Sequence, residues 1–223
     1  MNIGIIGAGF IGRAVAQLAL AAGHQVMLSN SRGAHTLNAV TGTLPGSQAG
    51  SVEQAIEFAQ LILVAIPLHQ FSALPAGKMN GKTVLDANNY YPRRDGHIAA
   101  LDEYRTTTSQ LLADYLSGAT VVKAFNAILA ADLLTDGRPS GSRSRRALPV
   151  ASDDTAAKAR VIDLLDQFGF DSVDAGNLAD SWRFERAKPA YCIPFDASGL
   201  RQALAAAERD VEAAEGSWRH RTG

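Results

Sequence analysis

Only six residues precede Gly7-Ala8-Gly9-Phe10-Ile11-Gly12, and Asn2 to Ile6 in front of it form a short, largely apolar run. Glycines at these spacings occur in many turns. A buried strand before them and a helix of small and aliphatic residues after them, Phe10 to Ala22, is the context that a dinucleotide pyrophosphate needs. Gly7 permits the tight turn, Gly9 lets the backbone approach the phosphates, and Gly12 lets helix and strand pack closely. The helix start then offers unpaired N–H groups and a partial positive charge. Gly7, Ala8, Gly9, Phe10, Ile11 and Gly12 are therefore candidate cofactor-binding residues, a ligand-free turn being the alternative.

The rest of the first half has the pattern of a parallel sheet, short β-branched runs alternating with helical stretches. Strands are expected at Ile3 to Ile6, Gln25 to Ser29, Leu61 to Ile66, Lys82 to Asp86 and Thr120 to Phe125. Ser51, with Glu53 and Gln54, opens a short helix. Residues 137–146, GRPSGSRSRR, hold four arginines and three serines with nothing to anchor a core, so 138–146 reads as an exposed Arg-rich loop. Beyond it come a strand at Ala147 to Ala151, a helix from Thr155 to Phe168 capped by Ser152 or Asp153, and a strand at Asp171 to Val173. An aromatic stretch, Trp182 to Phe195, precedes a last helix with Leu200, Leu204, Ala207 and Val211 in one stripe. The expected division is a nucleotide-binding part over 1–137 and an extension over 147–223 packing on the same unit.

A site for a dinucleotide with a free ribose 2′-hydroxyl places Asp or Glu at the end of the second strand. Here Ser29-Asn30-Ser31-Arg32 stands there, and Glu53 is the first acidic residue of the chain. Small polar donors and a guanidinium fork suit a 2′-phosphate, so Asn30, Ser31 and Arg32 point to NADP(H). The alternative for Arg32 is a solvated turn residue.

Ligands bind at the carboxyl edge of open α/β sheets, so the segments just after the other strands hold the remaining candidates. Ala65-Ile66-Pro67 would pack on the nicotinamide, and His69 would meet a second substrate unless it is merely a solvated loop histidine. In Asp86-Ala87-Asn88-Asn89-Tyr90-Tyr91-Pro92, amides and phenols could hold a planar polar ring, with Asn89 and Tyr90 as substrate candidates; the alternative is a capped turn. Lys123-Ala124-Phe125-Asn126 supplies Asn126 on the nicotinamide side and Lys123 as a candidate acid. Trp182 and Tyr191 could roof a flat ligand or pack as an ordinary tail. His69, Tyr90 and Asn126 are the leading catalytic candidates.

Composition narrows the class. Apolar residues make up 47% and charged residues 19%, which excludes a disordered chain. A formal net charge of −1 offers no basic field for nucleic acid, and one cysteine, Cys192, fits a reducing compartment. With no membrane-length apolar run and no leader-like start, a cytoplasmic location is expected. The sequence carries no metal-ligand spacing and no G-x-S-x-G elbow. A nucleotide site without an evident proton donor favours hydride transfer to an acceptor needing little acid–base help.

Together GAGFIG (7–12), SNSR (29–32), VAIP (64–67), DANNYYP (86–92), VVKAFN (121–126), LPVASDD (148–154) and the WRFE…PAY stretch (182–191) resemble the NADPH-dependent reductases of the deazaflavin coenzyme F-420. The resemblance covers most of the chain. It implies a Rossmann-type α/β fold, a doubly wound and mostly parallel sheet with a small C-terminal α/β extension. It implies phosphate contacts from Gly7 to Gly12, 2′-phosphate contacts from Asn30, Ser31 and Arg32, and nicotinamide contacts from Ala65 and Ala124. The implied reaction passes a hydride between NADP(H) and coenzyme F-420 in an apolar cleft. The expected partner is a small-molecule substrate, with no nucleic acid and no membrane, and a homodimer is compatible with the chain. Two other readings stand beside it: an NADPH-dependent reductase of a small carbonyl or imine compound, and a non-catalytic NADP(H) sensor.

Overall fold

The computed structural model describes residues 1–218. Six parallel strands form the main sheet: β1 (Asn2–Ile6), β2 (Gln25–Ser29), β3 (Ser47–Ala49), β4 (Leu61–Val64), β5 (Thr83–Asp86) and β6 (Thr120–Lys123). Their order is β3-β2-β1-β4-β5-β6, the doubly wound arrangement whose direction reverses between β1 and β4. β3 is the one strand that the periodicity does not announce. It is three residues long, half-exposed and at the sheet edge, so it carries no apolar run.

Strands buried on both faces read as continuous apolar runs, and β4, Leu-Ile-Leu-Val, is buried throughout. The helix Phe10–Ala21 lays Ala14, Val15, Ala16 and Ala19 on the sheet. Its small side chains let it lie close, at the cost of a thinner apolar layer. The helix Val52–Phe58 begins with the expected capping box: the Ser51 hydroxyl accepts from the Gln54 N–H, and the Gln54 side chain accepts from the Ser51 N–H.

After β6 come β7 (Ala147–Val150), the helix Thr155–Gln167 and β8 (Asp171–Asp174), with β7 and β8 paired in parallel. Asp154, rather than Ser152 or Asp153, caps that helix, its carboxylate accepting from the Ala157 N–H at 2.8 Å. Asp153 instead accepts from the Leu178 N–H. An antiparallel bridge, Lys123 to Ala151, ties this unit to the end of β6. Leu148, Val150, Val161, Leu164, Leu165 and Phe168 join the same core as β1, β2 and β4. A final helix covers Ala197–Ala205, so Val211 is not on its stripe; it lies past the helix end and is exposed. Residues 219–223 of the expected extension lie outside the described residues.

The Arg-rich loop needs a correction. Residues 138–141 are exposed, but Arg145 and Arg146 are buried. Arg145 Nη1 meets Asp166 at 2.6 Å and Asp171 at 2.9 Å, and Arg146 Nη1 meets Asp132 at 2.9 Å and Asp136 at 2.6 Å. These guanidiniums join the loop to its neighbouring helices and to β8. A run of arginines reads as solvated only while its acidic partners, distant in sequence, go unseen.

Candidate functional site

Register sets the site. Ile6 pairs with Ser29 and Val64, Val64 with Asp86, and Asp86 with Lys123. The segments after those residues therefore leave the sheet along one edge. Two clefts open there and share Gly9, Ala65, Ile66 and Pro67 as a common wall.

The first, of about 750 Å³, runs from Gly7, Ala8 and Gly9 to Asn30, Ser31 and Arg32. Gly7 has φ +111°, and a Cβ there would run into the Ala65 carbonyl oxygen. Gly12 is packed so tightly that its Cβ would strike the Gly7 carbonyl; it supports the loop without lining either cleft. Gly9 has open space where a Cβ would stand, and no side chain caps the helix behind it. The first-turn N–H groups are thus left for an anion.

Asn30 organises the neighbouring turn. Its Oδ1 accepts from the Arg32 N–H at 2.9 Å, and its Nδ2 donates to Thr36 Oγ1 at 2.9 Å. The Arg32 side chain is left exposed at the rim. Glu53 also lines this cleft. Its carboxylate accepts from Ser51 Oγ at 2.9 Å, and a backbone N–H of its own helix turn, with that hydroxyl, draws it below the usual carboxylate range.

The second cleft, of about 570 Å³, is lined by Gly9, Phe10, Ile11, Ala65, Ile66 and Pro67 on one side. Across it stand Asn88, Asn89, Tyr91, Arg94, Phe125, Asn126, Tyr191 and Cys192. Two of these, Phe125 (φ 63°) and Cys192 (φ 57°), hold left-handed backbone conformations that cost free energy in non-glycine residues. Burial pushes the Cys192 thiol up to about 12, so it is kept protonated and inert.

Three asparagines carry the polar detail. Asn88 Oδ1 accepts from the Ile66 N–H at 3.0 Å, while Asn126 Nδ2 donates to Asn89 Oδ1 at 3.1 Å and to the Phe184 carbonyl at 2.9 Å. These partners fix which way each amide points. Left over are Asn88 Nδ2 and Asn126 Oδ1, both buried and both without a partner. A buried unsatisfied polar atom is costly, and here one donor and one acceptor remain on residues of one cleft. A primary carboxamide offers the complementary acceptor and donor.

Several expected site residues lie elsewhere. His69 Nδ1 is 3.0 Å from Asp95 Oδ1, and the residue lines neither cleft. Tyr90 is turned away: its hydroxyl donates to Asp102 Oδ1 at 2.8 Å and accepts from the Ile98 N–H at 3.0 Å. Trp182 and Tyr90 line a separate pocket, where Arg183, Lys188 and Arg209 lie over the Trp182 ring. Ala124 is fully buried beneath the cleft floor. Asn89 does line the cleft, but its side chain is spent on Asn126. Lys123 is fully buried, its Nζ donating to Asp86 Oδ2, Thr108 Oγ1 and the Asn88 carbonyl, and so holds the loop from below.

From the Asn-Asn-Tyr-Tyr segment the sequence selects Asn89 and Tyr90, whereas Asn88 and Tyr91 line the cleft beside Asn89; Arg94, also in the cleft, carries no sequence signal. After β5 the chain has no regular period, so nothing in Asn-Asn-Tyr-Tyr tells which amide and which phenol face inward. Among the described residues no group of His, Cys, Asp and Glu could hold a metal, and no helix is long and apolar enough to cross a membrane.

Residues 2–90 match the family described as NADP oxidoreductase, coenzyme F420-dependent. A protein of unassigned function from Sinorhizobium meliloti, SMa0349, has a similar structure, with TM-score 0.72 and 28% identity over 87% of this chain and 94% of that one. So has a candidate F420-dependent NADP reductase from Arthrobacter sp. FB24, with TM-score 0.69 and 25% identity over 80% of this chain and 86% of that one. The chain is 27% identical over 200 residues, 86% of its length, to Metalloreductase STEAP3 of Rattus norvegicus. It spans 38% and 52% of the lengths of the curated relatives it matches. An imine reductase of Streptomyces aurantiacus shares the fold, with TM-score 0.57 and 18% identity over 81% of this chain and 57% of that one. The parallel sheet is thus that of a Rossmann-type protein, and the segment carrying the phosphate loop is the part that matches an NADP-dependent oxidoreductase family.

Proposed function

We propose, from the match of residues 2–90 to that oxidoreductase family, that the chain transfers a hydride between NADP(H) and the deazaflavin coenzyme F-420. One observation carries the nucleotide half of this reading: the orphaned Asn88 Nδ2 and Asn126 Oδ1 in a cleft that continues from the phosphate loop. Bound NADPH supplies the hydride from its nicotinamide C4. Gly7 to Gly9 and the open helix start receive the pyrophosphate, and Ser31 and Arg32 receive the 2′-phosphate. Ala65, Ile66 and Pro67 form an apolar wall for one face of the nicotinamide, and Asn88 and Asn126 fix its carboxamide and hence which face is presented. Facing residues, Phe125, Ile128 and Leu129, keep the opposite side dry for a flat acceptor.

The acceptor half is supported by the family description and by the largely apolar second cleft. The test adds the purified chain to NADPH with deazaflavin, a cyclic ketone or a cyclic imine and tracks nicotinamide absorbance. Turnover with deazaflavin at least tenfold faster than with the others is expected. A ketone or imine turned over faster would favour the second reading, whose support is the pair of hydroxyls of Tyr91 and Tyr191, 2.8 Å apart in the same cleft. Tight NADPH binding with no turnover would favour the sensor.

A further inference from the structure

Tyr91 comes after β5 and Tyr191 lies a hundred residues on, yet their hydroxyl oxygens are 2.8 Å apart in the wall of the second cleft. We propose that this hydroxyl pair is the hydrogen-bond donor to the hydride acceptor, and that the cleft takes acceptors whose hydride-receiving carbon is conjugated to an oxygen or nitrogen. The inference deepens the hydride-transfer reading and rests on it.

Proton counting is the first argument. Two hydroxyls carry two protons, and the bond between them uses one. Among the described residues, the other group interacting with the Tyr191 hydroxyl is the Cys192 thiol, a weak acceptor. One O–H therefore remains to be offered to a ligand.

Permanence is the second. Burial, reinforced by Cys192 and Tyr91, pushes the Tyr191 phenol well above its ordinary range, so it stays protonated and acts as donor rather than base. The pair is also held in place. Arg94 lies 4.6 Å and Arg186 5.6 Å from the Tyr91 ring centre, and Trp218 packs edge-on against Tyr191 at 5.3 Å. A donor that needs no reorganisation, in a largely apolar cleft, is well suited to stabilising charge that develops during reaction.

The electron count then fixes the acceptor class. A C–H bond forms at the accepting carbon, the π pair displaced from it moves to the conjugated heteroatom, and NADP⁺ is left. That heteroatom takes one proton, drawn from solvent through the half-buried Tyr91. In a deazaflavin the carbon is C5 and the heteroatom N1; in a ketone or imine it is the oxygen or nitrogen itself.

The experiment compares the unaltered chain with Tyr91→Phe, Tyr191→Phe and the double variant. Each is titrated with NADPH and then assayed with deazaflavin, a cyclic ketone and a cyclic imine. Either single variant retains one hydroxyl and is expected to lose about threefold to tenfold in kcat, whereas the double variant loses about 10²–10³-fold with NADPH affinity within twofold. Tyr91→Leu with Tyr191→Phe replaces the double variant if that one does not fold. A folded, NADPH-binding double variant within threefold of the unaltered chain, on the acceptor that chain reduces best, overturns the inference. If only the ketone or imine is reduced and the double variant loses that activity, the deazaflavin reading fails and the inference stands. Turnover of no acceptor overturns both.

Discussion

Lys123 Nζ lies 3.2 Å from Asp86 Oδ2, and neither side chain is exposed to solvent. The pair links the ends of two neighbouring strands directly beneath the asparagine loop. Asp86 also accepts from the Asn88 N–H at 2.9 Å and from Ser109 Oγ at 2.5 Å. Removing one partner of a buried pair leaves the other charge uncompensated, at a cost of about 3–5 kcal/mol. Asp86→Asn is therefore expected to lower denaturant stability by that amount and to weaken NADPH binding through the displaced Asn88. Activity and stability both within error of the unaltered chain would show that the pair does not hold the loop.

Gly9 and Gly12 separate binding from folding. A Cβ at Gly9 meets nothing and the backbone there is unstrained, so Gly9→Ala is expected to fold normally and to bind NADPH at least tenfold more weakly. At Gly12 the same methyl meets the Gly7 carbonyl, and Gly12→Ala is expected to lose stability as well. Thermal unfolding beside NADPH titration distinguishes the two. Unchanged affinity in a folded Gly9→Ala chain would reduce the motif to a turn.

Arg32 is exposed at the rim beside Ser31, in the cleft that Glu53 also lines. A charge-assisted contact with a phosphate contributes about 1.5–3 kcal/mol, roughly a ten- to hundredfold change in affinity. Arg32→Ala is expected to raise KM for NADPH by that factor and to leave KM for NADH almost unaltered. An equal loss with both nucleotides would remove the 2′-phosphate assignment.

The sequence is readable as far as regular period extends. β1, β2, β4, β5 and β6 are runs of β-branched and aliphatic residues, and their burial on both faces is what wrote those runs. The phosphate loop is legible because glycine is required there for space, as the clashes at positions 7 and 12 show. The acceptor side is not. Tyr90 and Tyr91 are adjacent and chemically identical, and what sends one to Asp102 and the other to Tyr191 is a set of hydroxyl partners between 6 and 100 residues away. Trp182 is misplaced from sequence for the same reason, because three cations from the tail hold its ring in another pocket.

Asp95 shows what steadies Tyr91 and yields a prediction in pH. Burial alone would raise its carboxyl, but hydrogen bonds from Arg94, from His69 and from the Tyr91 N–H outweigh it and bring it down to about 2. A folded-state value below the ordinary range means the protein gains stability from the ionised form. That gain is complete above about pH 4 and lost as pH falls through about 2. Because Arg94 and His69 are each about two-fifths exposed, the gain is roughly 1–2 kcal/mol after solvent screening. Asp95→Asn is expected to lower stability by this amount at pH 7 and to flatten the part of the stability curve between pH 4 and 2. Since the Tyr91 N–H is one of the anchors, the variant should also raise KM for the acceptor more than it lowers NADPH affinity. Denaturant midpoints measured across that pH interval, beside kinetics at pH 7, check both halves. A curve parallel to that of the unaltered chain would show that Asp95 does not carry this part of the acid response.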